Sequence, residues 1–136
     1  MANLAEGLNL VGAFTAYDLQ TIKGNADQVG RTPTRIPEVL ASVFADYTIP
    51  TGDWRGFGFG GGVRYVGRSF ADVANTLTVP DYVLFDAQIH YNWGNWRAAI
   101  NATNIGDRRF VSSCISANEC FYGEARRVLG SISYKW

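Results

Sequence analysis

Apolar and polar residues alternate with a period of two along most of the chain, the pattern of a strand with two different faces. Six segments carry it. The first runs from about Gly7 to Thr21, with Leu8, Leu10, Gly12, Phe14 and Ala16 on one side. The second runs from Ile36 to Ile49, with Val39, Ala41, Val43, Ala45 and Tyr47 sharing a side. The third runs from Trp54 to Arg68 and sets Phe57, Phe59, Gly61, Val63 and Tyr65 against Arg64 and Arg68. The fourth, Asp81 to Trp93, sets Val83, Phe85, Ala87, Ile89, Tyr91 and Trp93 against Leu84, Asp86, Gln88, His90 and Asn92. The fifth starts at Trp96, sets Ala98, Ile100 and Ala102 against Arg97, Asn101 and Thr103, and is expected to continue through a bulge to about Val111. The sixth spans about Glu124 to Trp136. No segment carries a helical period of usable length.

These strands are long. Strands in soluble domains cluster at about 5–6 residues, whereas a tilted strand that crosses a bilayer needs about 9–11. The connections alternate in length. "KGNADQVGRTPT" is long, "PTGD" short, "SFADVANTLTVP" long, Gly94-Asn95 a tight hairpin turn, and "SSCISANECFYG" long. Transmembrane barrels have that rhythm, with long outer loops and short periplasmic turns. Aromatic residues gather toward strand ends at Trp93, Trp96, Tyr134 and Trp136, as rings do at a headgroup boundary. The expected fold is therefore all-β: an antiparallel transmembrane β-barrel segment of about six long strands, polar side chains toward water and apolar ones toward lipid. A soluble β-sandwich or small-barrel binding module would show the same alternation with its apolar face inward. A self-assembling sheet that pairs its edges with copies of itself is a third arrangement.

Composition narrows the classes. Charged residues make up 18% of the 136, below the roughly 25% of an average soluble domain. Twelve basic residues balance twelve acidic ones, so no basic footprint points to nucleic acid. No run approaches the ~20 apolar residues of a transmembrane helix. "MANLAEGLNL" has neither the basic nor the apolar region of a signal peptide, so an export signal is expected upstream if the chain is exported. Cys114 and Cys120 lack the paired spacing of a zinc site. In the exposed segment "CISANEC" they read as a disulfide, two free thiols being the alternative. No nucleophile elbow or phosphate-binding loop appears, and the glycines of "GFGFGGGVR" lie inside a strand pattern, where they thin one face or permit curvature. No catalytic residue, metal ligand or cofactor is assigned.

Three stretches resemble the last strands of TonB-dependent siderophore receptors, most closely the ferrichrome-receptor group. "VGRSFADVANTLTVPDYVLFDA" is similar to that family's loop into a late strand. "NATNIGDRRFVSSC" is similar to its N-x-x-N-L-x-D-x-x-Y segment, with Ile105 for Leu and Phe110 for Tyr. "CFYGEARRVLGSISYKW" resembles its final strand, and the C-x5-C spacing followed by Phe-Tyr-Gly is the most specific piece. The likeness extends from about Leu8 to Trp136. It implies the C-terminal portion of a 22-stranded barrel, with the plug domain and TonB-binding segment absent from these 136 residues. Six strands do not close a barrel, so the segment alone is not expected to transport.

The same resemblance implies the partners: a ferric siderophore of the hydroxamate type, the TonB complex acting through the missing N-terminal parts, the barrel-assembly machinery and outer-membrane lipid. It implies an assembly signal in the last strand at Val128, Ile132, Tyr134 and Trp136, with Gly130 as a small gap. It makes Phe121 and Tyr122, at the barrel mouth, candidate substrate contacts; alternatively they pack the loop or touch lipopolysaccharide. Neighbours along a strand face opposite ways, so at most one should reach the lumen. Arg64, Arg68, Arg97, Arg126 and Lys135 either steer an anionic chelate or, as we favour, form a wall network with Asp86 and Glu124. His90, the single histidine, is assigned to the wall.

Overall fold

The computed structural model describes residues 2–116 and 118–136; Met1, and Ala117 within the cysteine segment, lie outside the description. The elements are β1 (Ala2–Ala5), β2 (Leu8–Ala16), β3 (Val39–Thr48), β4 (Phe57–Val66), β5 (Ser69–Phe70), β6 (Thr78–Val79), β7 (Tyr82–Trp93), β8 (Trp96–Thr103), β9 (Val111–Ser116), β10 (Glu119–Tyr122) and β11 (Arg127–Tyr134). Seven form one antiparallel meander in the order β1-β2-β3-β4-β7-β8-β11, and the pairs β5-β6 and β9-β10 form two small ribbons. All six expected segments are strands of this meander, and β1 adds a short seventh.

The register places every apolar set on the same face. Leu10 faces Ala45 and Phe14 faces Ala41; Val43 faces Val63, and Tyr47 faces Phe59. Val63 continues to Phe85 and Phe59 to Ile89. Ile89 meets Ile100, and Trp93 meets Trp96. Ile132 meets Ala98, and Tyr134 meets Trp96. A one-residue slip between any two strands would put half of this surface on the wrong side. No second sheet packs on it among the described residues. Phe14, Phe59, Phe85, Ile100 and Ile132 stay exposed, Phe14 at 72% and Ile132 at 71%. A sandwich would bury them; a lipid-facing wall leaves them outward.

The opposite face is polar but tightly built. Gly58, Gly60 and Gly62 occupy its alternate positions along β4, opposite His90, Gln88 and Asp86 of β7. A Cβ at Gly62 would stand 2.5 Å from the Phe44 ring and 2.9 Å from the Val43 carbonyl oxygen; one at Gly60 would stand 2.9 Å from Asp46 Oδ1. The glycines let Phe44, Asp46 and His90 lie flat across β4. The wall is thin along that strand because neighbouring side chains fill the space.

Strand ends fall inside the expected segments: β3 starts at Val39 rather than Ile36, and β4 runs from Phe57 rather than Trp54 to Val66 rather than Arg68. β2 stops at Ala16; the Tyr17 N–H adds one more bond in the same register, to the Glu38 carbonyl, and by Thr21 the amide bonds the Arg31 carbonyl within the loop. β8 stops at Thr103 because Asn104 takes φ +50°, which ends the ladder; β9 is a separate strand, not a continuation through a bulge. β11 begins at Arg127 and ends at Tyr134, leaving Trp136 beyond the ladder. The expected loop around the cysteines is a hairpin, β9-β10. At the other end, Gly94 at φ +53° makes the tight connection from β7 to β8.

The three long connections pack together at one end. Ala71, Val79 and Cys114 form a small core, with Val111 against it. Thr32 N–H donates to Asn75 Oδ1 (2.8 Å) and Asn75 Nδ2 donates back to Thr32 O (2.9 Å). The Arg31 guanidinium donates to Ala74 O. Asp72 closes the 67–81 loop, accepting from the Thr76 hydroxyl (2.7 Å) and the Leu77 amide (2.8 Å).

Two outcomes follow. Gly62→Val should destabilise the sheet by about 1–3 kcal/mol through overpacking against Phe44. Gly130→Ala, whose Cβ meets nothing within 4 Å, should change stability by less than about 0.5 kcal/mol; denaturant midpoints of both variants check this. The Thr76 hydroxyl, then the Leu77 amide, hold the Asp72 carboxyl below its ordinary range. A lowered folded pKa gives stabilisation that is complete above the unfolded value and disappears as pH falls through the folded one. Amide exchange at Leu77, corrected for the intrinsic rate, should therefore show constant protection from neutral pH down to the carboxylate range and lose it only below.

Candidate functional site

A hydrogen-bonded chain ties the wall to the last long connection. Arg64 on β4 grips Asp86 on β7 through two donors, Nε to Oδ2 at 2.6 Å and Nη2 to Oδ1 at 3.0 Å. Such forked pairs are fixed in orientation as well as strong. Asp86 Oδ1 also accepts from the Asn104 backbone N–H at 3.0 Å. The Asn104 side chain, 3% exposed, donates to Arg108 O (2.9 Å) and Glu124 O (3.0 Å) and accepts from Arg108 N–H (2.9 Å). Asp107 Oδ1 accepts from Arg126 N–H at 2.9 Å. The segment "NATNIGD" is thus a clasp: two residues with positive φ, Asn104 and Asp107, fold the chain back so that both ends of the 104–126 connection are pinned beside β7.

The clasp borders a recess of about 330 Å³ on the polar face, lined by Arg64, Tyr82, Phe110, Tyr122 and Glu124, with Leu84 at its base. The Tyr82 and Phe110 rings lie 4.1 Å apart between centroids, and Phe110 in turn fills the space beside Gly123. Tyr122 lines the recess, while Phe121 points elsewhere and has the Arg35 guanidinium 6.0 Å from its ring. Of the two aromatic candidates, one reaches the recess, as strand alternation requires. Cys114 and Cys120 are directly paired across the β9-β10 hairpin and form a disulfide.

Several charges pair differently from the expected wall network. Arg64 joins Asp86, but Arg68 lies past the end of β4 and pairs with Glu38 at 2.9 Å. Glu124 pairs with Arg127 at 3.5 Å, and Arg97 donates to Asn92 at 2.9 Å. His90 is 3% exposed in the wall. Its Nε2 meets the Thr48 hydroxyl at 3.1 Å, and its Nδ1 lies 3.2 Å from the Gln88 amide and 3.5 Å from Asp46 Oδ1. No group of three potential metal ligands occurs among the described residues.

The sequence of residues 2–105 matches the family model described as "TonB dependent receptor-like, beta-barrel". The chain belongs to the TonB-dependent receptor β-barrel family. It is 33% identical to the ferrichrome outer membrane transporter/phage receptor of Escherichia coli K12 over 99% of its own length and 19% of that protein's. It is 33% identical to the ferrioxamine receptor of Yersinia enterocolitica over 98% of its length, again 19% of the relative. The chain thus spans about a fifth of these relatives. The crystal structure of the siderophore receptor PiuA from Acinetobacter baumannii superposes with a TM-score of 0.78 at 23% identity, covering 98% of this chain and 20% of that one. That likeness supports the fold.

A TonB-dependent receptor barrel sits in the outer membrane, which assigns the two faces and the two ends. The apolar face meets lipid, and the polar face lines the lumen. Long connections lie outside, so the clasp and its recess sit at the outer mouth. At the short-turn end the lipid face carries a belt of rings. Tyr91 and Trp93 lie 5.5 Å apart, Trp93 and Trp96 6.5 Å, and Trp96 and Tyr134 4.9 Å. Rings there place an apolar body in hydrocarbon and a polar tip in the headgroups. Val128, Ile132 and Tyr134 of the expected assembly signal share this face, and Trp136 is fully exposed.

Sequence reasoning placed Arg64 and Asp86 on polar faces but missed the role of Asn104; the asparagine before an Ile-Gly-Asp turn was the available signal. Asn104→Ala should cost about 3 kcal/mol by stranding two carbonyls and one amide. Limited proteolysis should then cut within 104–126 while β2–β4 stay protected.

Proposed function

We propose that this chain is the C-terminal portion of an outer-membrane receptor that imports ferric siderophores of the hydroxamate type in a TonB-dependent manner. The observation that carries this reading is the 33% identity to a ferrichrome transporter and to a ferrioxamine receptor along nearly the whole chain. The aromatic recess at the lumen mouth supports it. In this reading Tyr122 contacts the chelate from the recess and Phe121 packs at the rim with Arg35. The Cys114–Cys120 bridge stiffens the hairpin that presents them. The segment supplies wall, mouth and closing strand. The plug and the TonB-binding segment lie in the rest of the receptor. Val128, Ile132, Tyr134 and Trp136 serve the barrel-assembly machinery. Transport is a property of the closed barrel, because an open sheet leaves unpaired edges that hydrocarbon does not tolerate.

A graft tests it. These 136 residues replace the matching fifth of the E. coli ferrichrome transporter, in cells lacking their own copy and starved of iron. Growth on a ferric trihydroxamate is the expected result, with Tyr122→Ala lowering uptake about tenfold, the size of a truncated contact somewhat short of a hot spot. A graft that reaches the outer membrane as a heat-modifiable barrel yet takes up no ferric chelate would defeat the proposal.

A further inference from the structure

The charges around the recess point to a selection rule, which rests on the receptor reading above. Arg64 is the one cationic side chain among the described residues lining the recess. Two of its N–H groups are taken by Asp86 in a forked pair. Asp86 is itself held by the Asn104 amide, so it does not swing away when something enters. The other charged lining residue is Glu124, which is exposed and meets Arg127 only at 3.5 Å. Arg108, Arg109 and Arg126 belong to the same connection but do not line the recess. The two charged lining residues, Arg64 and Glu124, sum to zero, and Asp86 behind Arg64 brings the sum to one negative charge. Among the described residues that line the recess, no cation is left uncompensated.

What remains is polar and aromatic. The Arg64 Nη1 donors and the Tyr82 and Tyr122 hydroxyls suit neutral oxygens, and the Tyr82–Phe110 pair offers an apolar wall. An anion entering here meets the Glu124 carboxylate and a guanidinium already neutralised. We infer that Asp86 is a specificity-determining residue: by consuming the charge of Arg64 it makes the mouth accept uncharged or cationic ferric chelates and disfavour anionic ones. Like-charge juxtaposition at a contact surface discriminates partners more than it changes overall affinity. Because the recess is open to water, screening keeps the effect near tenfold.

The test uses the full-length receptor that carries this segment, purified in detergent. It is titrated by tryptophan quenching with three probes: a neutral ferric trihydroxamate, a ferric trihydroxamate bearing a free amine, and an anionic ferric tricatecholate. The neutral and cationic probes should bind about tenfold or more tighter than the anionic one. Asp86→Asn keeps an oxygen for the Asn104 amide but releases the Arg64 charge, and should shift the neutral-to-anionic ratio about tenfold toward the anion. Glu124→Gln leaves the clasp intact, because Asn104 bonds the backbone carbonyl of residue 124, and should shift the ratio the same way by less. If Asp86→Asn fails to migrate as a folded barrel, Arg64→Gln decides: it leaves the Asp86 charge unopposed and should shift the ratio about tenfold away from the anion. Equal binding of anionic and neutral probes by the parent receptor overturns the inference, as does an unchanged ratio in the folded variants. Binding of none of the three removes the siderophore reading beneath it, a result distinct from binding without charge preference.

Discussion

Every feature of this segment depends on one constraint: strand register keeps a single side of a one-layer sheet apolar from Leu8 to Tyr134. In a sandwich or a helix-covered sheet, a local slip can be absorbed by repacking the core. Here no second layer compensates, and few apolar residues are buried at all. The hydrophobic drive is met by hydrocarbon outside the chain, so the sheet must present the right surface without help from a core. Backbone hydrogen bonding then carries the internal cohesion, since an unpaired amide in lipid is costly. The long uninterrupted ladders β3–β4 and β4–β7 meet both demands at once.

The same constraint explains how far the sequence could be read. Period-two alternation is a local signal, and it located the middle of all six long strands together with their faces. It failed where the deciding contact is distant along the chain. Nothing local to Ala16 announces that β2 ends there; farther on, the Thr21 amide bonds the Arg31 carbonyl inside the loop instead of continuing along β3. Apolar residues on both sides of "NIGDRR" suggested one strand continuing to Val111, whereas Asn104 bonds to residue 124 and turns the chain. The cysteine segment looked like a loop because its polar composition hid a hairpin. The alternation of long and short connections supplied the loop-to-mouth assignment, but the pairing of Arg64 with Asp86 needed the β4–β7 register, which no spacing within one strand reveals.

Glycine placement connects the fold to the site. Gly58, Gly60 and Gly62 bare the lumen side of β4 toward its short-turn half, and the side chains of Phe44, Asp46 and His90 spread over it. Past Gly62 the same face carries Arg64 and then Val66, where β4 nears the outer mouth. The bare stretch therefore ends where the charged one begins. A wall covered by close-packed side chains gives way to a recess in which a guanidinium can reach across to β7. Curvature and chemistry are distributed along one strand by the order of its residues.

The lumen wall pairs its charges near the mouth, and deeper it holds its polar side chains against one another while Asp46 Oδ1 stays without a hydrogen-bond partner. Near the mouth, Arg64 is matched by Asp86, and Glu124 by Arg127. Deeper, Arg97 rests on Asn92, and His90 is enclosed by Thr48, Gln88 and Asp46. A water-filled channel has no need to pair every charge, since solvent can do so. Pairing across strands therefore has a different consequence: at Arg64 and Asp86 it fixes both side chains against the sheet and neutralises the guanidinium. Asn92 fixes Arg97 in the same way but carries no charge to oppose it, so side-chain order and charge neutralisation are separate properties of this wall.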